Sequence, residues 1–331
     1  MSTAGTITVV TGASGLIGSA LLWKLHGTSR THSNLVAVDL HYDTSPSYLP
    51  GFPKDRRLLH SELPAWLLEN RRKVERVIHL GAISDTTITD VDLLWELNYQ
   101  YSKRLFTLCT ELGLPFYWAS SAATYGAQSD CLDDDARLPL LRPLNPYAWS
   151  KHIFDRWALE QSAQPPHFAG FKFFNVFGPN EYHKGRMASV VLHAFNQIRK
   201  RGFIELFESG RDDIADGEQS RDFVYVKDIV DMIDHFINAR PSAGIYNMGT
   251  GEARTFRDLA AAVFSAMGQK IDIRFIPMPG DLAERYQYRT CARIDRLRLA
   301  GYGAKIGPLE KGVSDYVLNY LLKNKACLGA E

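Results

Sequence analysis

Cysteine is scarce and scattered. The chain of 331 residues holds four, Cys109, Cys131, Cys291 and Cys327, with no Cys-x-x-Cys pair. That pattern argues against a disulfide framework and against a thiolate metal site, and a reducing cytoplasm is the expected setting. An excess of charge is missing too: Lys and Arg number 38, Asp and Glu 37, for a net +1. No basic run is dense enough to grip nucleic acid or an anionic membrane surface, so neither is an expected partner. Nowhere do about 18 apolar residues run together, the length a spanning helix needs. Met1 to Gly5 carries no basic lead-in and the apolar run after it stops at Gly12, so no ordinary export signal is expected.

What is present is 45% hydrophobic content, enough for one large domain or two interleaved ones around a buried core. Short apolar runs alternate with amphipathic ones: Thr6–Val10, Leu16–Leu25, Leu35–Val38, Val74–Leu80, Leu93–Cys109 and Phe116–Ala119. That rhythm is β-α-β and predicts a parallel sheet covered by helices on both faces. A helix over Tyr147–Glu160 and a strand over Ala169–Phe174 follow. After Gly178-Pro179 the rhythm breaks, with a helix over Ser189–Lys200 and a polar stretch over Gly210–Ser220. The expected fold is α/β, a Rossmann-type doubly wound parallel sheet with a smaller C-terminal α/β substrate lobe. Residues 1–175 with about 221–248 form the dinucleotide-binding domain in this reading, and 176–220 with 249–331 the substrate domain.

Between the first predicted strand and helix, Gly12, Gly15 and Gly18 stand at G-x-x-G-x-x-G spacing. Such a turn needs unusual backbone angles and no side chain between the main chain and a pyrophosphate. The helix start beyond it supplies free N–H groups and the positive dipole end. Asp39 ends the next apolar run, where a carboxylate can bind an adenosine ribose. It would repel a 2′-phosphate and favour NAD, while His41, Lys54, Arg56 and Arg57 are the nearby cations that could accept one.

Tyr147 and Lys151 sit four apart in Pro-Tyr-Ala-Trp-Ser-Lys, on one face of the predicted helix. A phenol is a poor base near neutral pH, and a neighbouring ammonium should favour its ionised form. Ser121, ending its strand in Ala-Ser-Ser-Ala-Ala-Thr-Tyr-Gly, can hydrogen-bond the same substrate oxygen. A second Tyr-x-x-x-Lys pair, Tyr99 and Lys103, falls on an earlier helix and reads as framework. Gly81-Ala82-Ile83-Ser84 is expected to wall the cofactor, with Asn98 supporting the helix or the adjoining loop.

At these residues the chain resembles the extended short-chain dehydrogenase/reductase family, which implies a nicotinamide-binding domain and a Ser121, Tyr147, Lys151 triad. Further segments narrow the likeness: Asn98–Lys103, Ser120–Gly126, Phe174–Pro179, His183–Val190 with its His-Lys-Gly, Arg221–Val226 and Arg285-Tyr-Gln287. They are similar to the ADP-L-glycero-D-manno-heptose 6-epimerase branch over nearly the whole chain. The resemblance implies an isomerase that inverts C6 of an ADP-heptose for the lipopolysaccharide inner core. It further implies tightly bound NADP or NAD, a cytoplasmic location and a homo-oligomer, a pentamer.

By the same resemblance the cofactor is held by Gly12, Ser14, Gly15, Leu16, Ile17, Gly18, Asp39, Leu40, Leu80, Gly81, Ala82, Ser84, Asn98, Tyr147, Lys151 and Val176. The nucleotide sugar is held by Ser121, Asn175, Lys184, Arg186, His193, Phe207, Glu208, Ser209, Arg221 and Tyr286. Lys184 is implied as a second acid/base beside Tyr147, or else as a phosphate-binding or surface lysine, and Arg221 is expected on the substrate diphosphate. His193 is either a pocket residue or a satisfied core histidine. Three features depart from the branch: Arg186 in place of serine, an apparent insertion over Arg211–Ser220, and Leu40 and Pro46 near the cofactor ribose. Three other readings remain: a 4,6-dehydratase, disfavoured because Ala122 and Ala123 replace the acid pair it needs, a nucleotide-sugar 4-epimerase, or a non-catalytic dinucleotide-binding sensor.

Overall fold

A computed structural model describes residues 6–27, 34–42, 48–128, 135–280, 286–325 and 327–329. Pro46, Cys131 and Arg285 lie outside the described residues. The first half runs β1 (Ile7–Thr11), α1 (Leu16–Gly27), β2 (Leu35–Asp39), β3 (Arg57–Leu59), α2 (Leu63–Asn70), β4 (Val74–His79), α3 (Val91–Leu94), α4 (Tyr101–Leu112), β5 (Phe116–Ser121), α5 (Pro146–Glu160) and β6 (Phe168–Phe173). The second half adds β7 (Asn175–Phe177), α6 (Val190–Arg201), β8 (Ile204–Phe207), β9 (Ser220–Arg221), β10 (Phe223–Tyr225), α7 (Val226–Ala239), β11 (Gly244–Met248), β12 (Arg254–Thr255), α8 (Phe256–Ala266) and β13 (Ile273–Ile276).

Seven strands form one sheet in the order β11-β6-β5-β4-β1-β2-β3, and every pair in it is parallel. β1 and β6 are buried along their whole length, which is what an apolar run covered on both faces by helices requires. The fold is therefore the doubly wound α/β sheet expected. The chain winds outward in one direction from β1 and then in the other from β4. The crevice between the C-terminal ends of those two strands is thus a topological switch point, where open α/β sheets take their ligands.

The predicted helix over Leu93–Cys109 is interrupted. Asp90 caps α3 by accepting from Leu93 N–H at 2.9 Å, and Trp95–Gln100 then turns in π geometry before α4 begins. Gly113, at φ 66°, ends α4 in the left-handed region, where glycine avoids a Cβ clash. Three two-stranded sheets lie outside the main one: β7 with β10 and β8 with β13, both parallel, and β9 with β12, antiparallel. Apolar side chains of both halves join one buried cluster, running from Val9 and Leu21 through Phe171 and Phe236 to Val263 and Val313. Each large side chain fully buried there contributes about 1.5–3 kcal/mol. Among the described residues no helix is long and apolar enough to cross a membrane.

Candidate functional site

The glycine turn leaves β1 and packs directly on the end of β4. Gly12 has φ 68°, and a Cβ on it would stand 2.7 Å from Gly81 N and 2.8 Å from the Leu80 carbonyl carbon. A Cβ on Gly18 would stand 2.0 Å from the Gly12 carbonyl oxygen. Both positions therefore demand glycine, the first for its backbone angle and both for close approach. Gly15 N–H donates to Gly12 O at 3.0 Å, and Gly15, Leu16 and Ile17 open the N-terminal end of α1 onto a cavity of about 690 Å³. Asp39 lines the same cavity, its two oxygens accepting from Ser14 N–H and Leu40 N–H, each at 2.7 Å.

A buried histidine that sequence reasoning missed ties the turn to its neighbours. Ser102 Oγ donates to Asn98 O at 2.7 Å, so it accepts from His79 Nε2 at 2.9 Å. His79 Nδ1 then accepts from the Thr11 hydroxyl at 2.7 Å, and Thr11 Oγ1 accepts from Gly81 N–H at 3.0 Å. That chain requires the neutral ring. Burial, with Lys151 nearby, pushes the His79 pKa down to about 3, because an imidazolium there would lose its water. Asn98 does not line the cavity; its amide accepts from Ile83 N–H at 2.8 Å and donates to Ile83 O and Ser150 Oγ, both at 3.0 Å. It ties the Gly81–Ser84 segment to α5.

Tyr147, Lys151 and Ser121 line the cavity together. Asn145 caps α5, its side chain accepting from Ala148 N–H at 2.8 Å, so the tyrosine sits in the first turn and the lysine one turn on. The expected depression of the phenol's pKa is not what the geometry gives: burial raises it, while the neighbouring Ser121 side chain pulls it down. Lys151 turns its ammonium to the Ala119 carbonyl, at 3.0 Å, and its own pKa falls to about 8 through burial. A lysine so placed orders the end of β5 as well as facing the cavity.

On the opposite wall, the short 3-10 turn Tyr182–Met187 presents Lys184 to the cavity. Glu181 holds this turn from inside, accepting from Ser189 N–H at 2.6 Å and Ser189 Oγ at 2.7 Å. Lys184 N–H donates to Glu181 O at 3.0 Å. Burial lowers the Lys184 pKa and the Glu181 charge opposes that. Arg221 lines the same cavity, its guanidinium 4.9 Å from the centre of the Tyr286 ring and 5.7 Å from that of Phe256. Asp222, fully buried, accepts from Thr250 N–H (2.8 Å), Gly251 N–H (2.9 Å) and Ala292 N–H (3.1 Å) and so fixes the backbone that carries Arg221.

Of the remaining expected residues, Leu40, Leu80, Gly81, Ala82, Ser84, Asn175 and Val176 line the cavity, whereas Arg186, His193, Phe207, Glu208 and Ser209 do not. Arg186 hydrogen-bonds Thr87 across to the β4 side. His193 Nε2 meets the Arg186 carbonyl at 3.2 Å and so braces the Lys184 turn. The backbone oxygens of Phe207 and Glu208 accept from Gln219, and Ser209 knits the following loop through Asp216, Arg211 and Ile214. The second Tyr-x-x-x-Lys pair lies off the cavity: the Lys103 ammonium stands over the rings of Tyr99 and Trp157, at 5.1 and 4.9 Å.

Residues 8–249 match the NAD dependent epimerase/dehydratase family. The chain is 43% identical over 337 residues to the ADP-L-glycero-D-manno-heptose-6-epimerase of Fusobacterium nucleatum subsp. nucleatum, covering 97% of this chain and 99% of that one. It is 44% identical over 331 residues to the enzyme of the same name from Nitratidesulfovibrio vulgaris strain DP4, covering 95% and 97%. Its fold is similar to the crystal structure of the Helicobacter pylori ADP-L-glycero-D-manno-heptose-6-epimerase, with a TM-score of 0.75 and 25% identity over 95% of this chain and 96% of that one. The chain therefore belongs to the NAD dependent epimerase/dehydratase family and, within it, to the ADP-L-glycero-D-manno-heptose-6-epimerases.

Proposed function

We propose that this chain interconverts ADP-D-glycero-β-D-manno-heptose and ADP-L-glycero-β-D-manno-heptose at C6. The observation that carries the reading is one cavity lined together by the glycine turn, Asp39, Ser121, Tyr147, Lys184 and Arg221. The residues fit a nicotinamide dinucleotide: the N-terminal end of α1 suits a diphosphate, the Asp39 carboxylate suits ribose hydroxyls, and Tyr147 and Lys151 flank the reacting end. Bound there, such a cofactor supplies reversible hydride acceptance.

The protein groups then handle the proton and the orientation. Tyr147 takes the C6 hydroxyl proton, and Ser121 hydrogen-bonds the same oxygen as alcohol and as carbonyl. Hydride must return to C6 on the opposite face while the carbonyl oxygen regains a proton, so a second proton donor is useful, and Lys184 is that group. Its burial, which lowers its pKa toward the working range, supports this role. Arg221 binds the substrate diphosphate through a guanidinium that matches phosphate oxygens.

NAD is the preferred form in this reading. Among the described residues, the Lys and Arg side chains lining the cavity are Lys151, Lys184 and Arg221, and none belongs to the segment around Asp39. Arg57 instead donates to Leu49 O and Phe52 O, at 3.1 and 2.8 Å, and Arg56 faces Asp55. His60 lines the cavity, and burial lowers its pKa. A 2′-phosphate would thus meet the Asp39 carboxylate with His41 and no Lys or Arg of the described residues lining the cavity beside it. The lipopolysaccharide role, the cytoplasmic location and the homo-oligomer belong to the same proposal and rest on similarity to the relatives above.

The test is to denature the purified protein, identify the nucleotide released by mass spectrometry, and separately follow conversion of the D-glycero sugar by chromatography. NAD and the L-glycero product are expected. NADP alone would overturn the cofactor assignment, and no conversion would overturn the activity.

A further inference from the structure

Tyr147, Lys151 and Asp155 repeat every four residues along α5, which stacks them on one helix face. The first two reach the cavity. Asp155 is fully buried beneath them, where a carboxylate is tolerated only if it is paired and hydrogen-bonded. Its Oδ1 accepts from Trp118 Nε1 at 2.9 Å. Its Oδ2 accepts from Ser120 Oγ at 2.5 Å and from Lys172 Nζ at 2.9 Å. Lys172, 1% exposed, comes from β6, directly across the ladder from Ser120.

The network closes around the peptide that carries Ser121. Lys172 Nζ also donates to Thr124 Oγ1, and Thr124 Oγ1 donates to the Ser121 carbonyl at 2.8 Å. Lys151 holds the Ala119 carbonyl. Residues 119, 120 and 121 are therefore each pinned by a different group, and all of those bonds trace to α5 or to Lys172. Lys172 further lies 5.1 Å from the centre of the Tyr125 ring, whose hydroxyl donates to Asn247 Oδ1 at 2.7 Å on β11. A buried pair of this kind is weak as a source of stability, and its best-attested use is to fix one arrangement.

We infer that the Asp155–Lys172 pair is a positioning device for the reaction, holding Ser121 in register with Tyr147 and setting the electrostatic field in which Tyr147 and Lys151 work. The Asp155 carboxylate raises the pKa of both groups. The charged and titratable groups around the pair are Tyr147, Lys151, His152 and Arg156 on α5, Lys172 on β6, Tyr125 on the turn after β5, and His79 on β4, which feels Lys151. The inference rests on the epimerase reading for its assay, and the wild-type measurement separates the two: no wild-type turnover counts against that reading.

The experiment compares the pH dependence of kcat for wild type, Asp155→Asn and Lys172→Met. Removing the negative charge should move the limb that reports Tyr147 ionisation to lower pH by about half a unit or more, and removing the positive charge should move it the other way. kcat should fall about tenfold in both, with KM and bound dinucleotide little changed. Loss of kcat with an unmoved pH profile in both variants overturns the inference, because a purely structural role predicts that. Should the charge variants not fold, Ser120→Ala decides: an about fivefold lower kcat at wild-type thermal stability supports the device, and wild-type kcat overturns it.

Discussion

His79 makes acid a specific perturbation of the cofactor-side fold. In the folded chain the ring stays neutral down to about pH 3, whereas in the unfolded chain it titrates near 6.5. Between those values the unfolded state binds a proton that the folded state refuses, so the stability contributed by the neutral ring is complete above about pH 6.5 and lost as pH falls. The slope is about 1.4 kcal/mol per pH unit, which gives about 2 kcal/mol by pH 5, a factor of about 30 in the unfolding constant. Urea unfolding of wild type and His79→Gln at pH 7 and pH 5 measures it. Glutamine removes the titration and loses part of the Thr11 and Ser102 bonding, so the variant is less stable at pH 7. The gap should narrow by about 2 kcal/mol at pH 5. His60, His152, His167 and His183, whose pKa values are also lowered by burial, act equally in both proteins and cancel. A gap of the same size at both pH values would refute the neutral, buried His79.

Four substitutions probe the rest of the site. Gly18→Ala drives a Cβ to 2.0 Å from the Gly12 carbonyl oxygen; it should cost about 2 kcal/mol or more and release the dinucleotide, read by thermal unfolding and by the absorbance ratio of the purified protein. Tyr147→Phe and Lys184→Met should each lower epimerisation by about two to four orders of magnitude while the dinucleotide stays bound, and near-wild-type turnover in both would sink the scheme with two proton donors. Arg221→Lys keeps the charge but loses the planar fork, so KM for the nucleotide sugar should rise about tenfold with kcat within about twofold; an unchanged KM would remove Arg221 from the diphosphate.

The sheet and the glycine turn were legible because their signals are local. β1, β2, β4, β5 and β6 are short apolar runs bounded by turn residues, and Gly12 and Gly18 stand at fixed offsets beside a strand end. β11 was placed with the dinucleotide-binding domain but not named as a strand; Gly244–Met248 pairs with a strand 75 residues earlier, Gly244 opposite Ala169. The polar groups that fix the site were missed for a related reason. His79, Asp155, Lys172, Glu181 and Asp222 look like ordinary polar residues in sequence, and their roles come from partners up to 70 residues away, as in Ala292 N–H to Asp222. Asp155 did leave a trace, its four-residue spacing from Lys151. The phenol of Tyr147 shows the opposite limit: a sequence gives the neighbour that would lower its pKa but not the burial that raises it.

The central claim is that C6 is inverted by removing a hydride and returning it within one cavity. The most direct measurement is to incubate the purified protein, with no cofactor added, with ADP-D-glycero-β-D-manno-heptose in D2O and follow C6 by NMR. The account predicts the L-glycero epimer with protium retained at C6, because the hydride never exchanges with solvent. Deuterium at C6, or no conversion even after adding NAD and NADP separately, would contradict it.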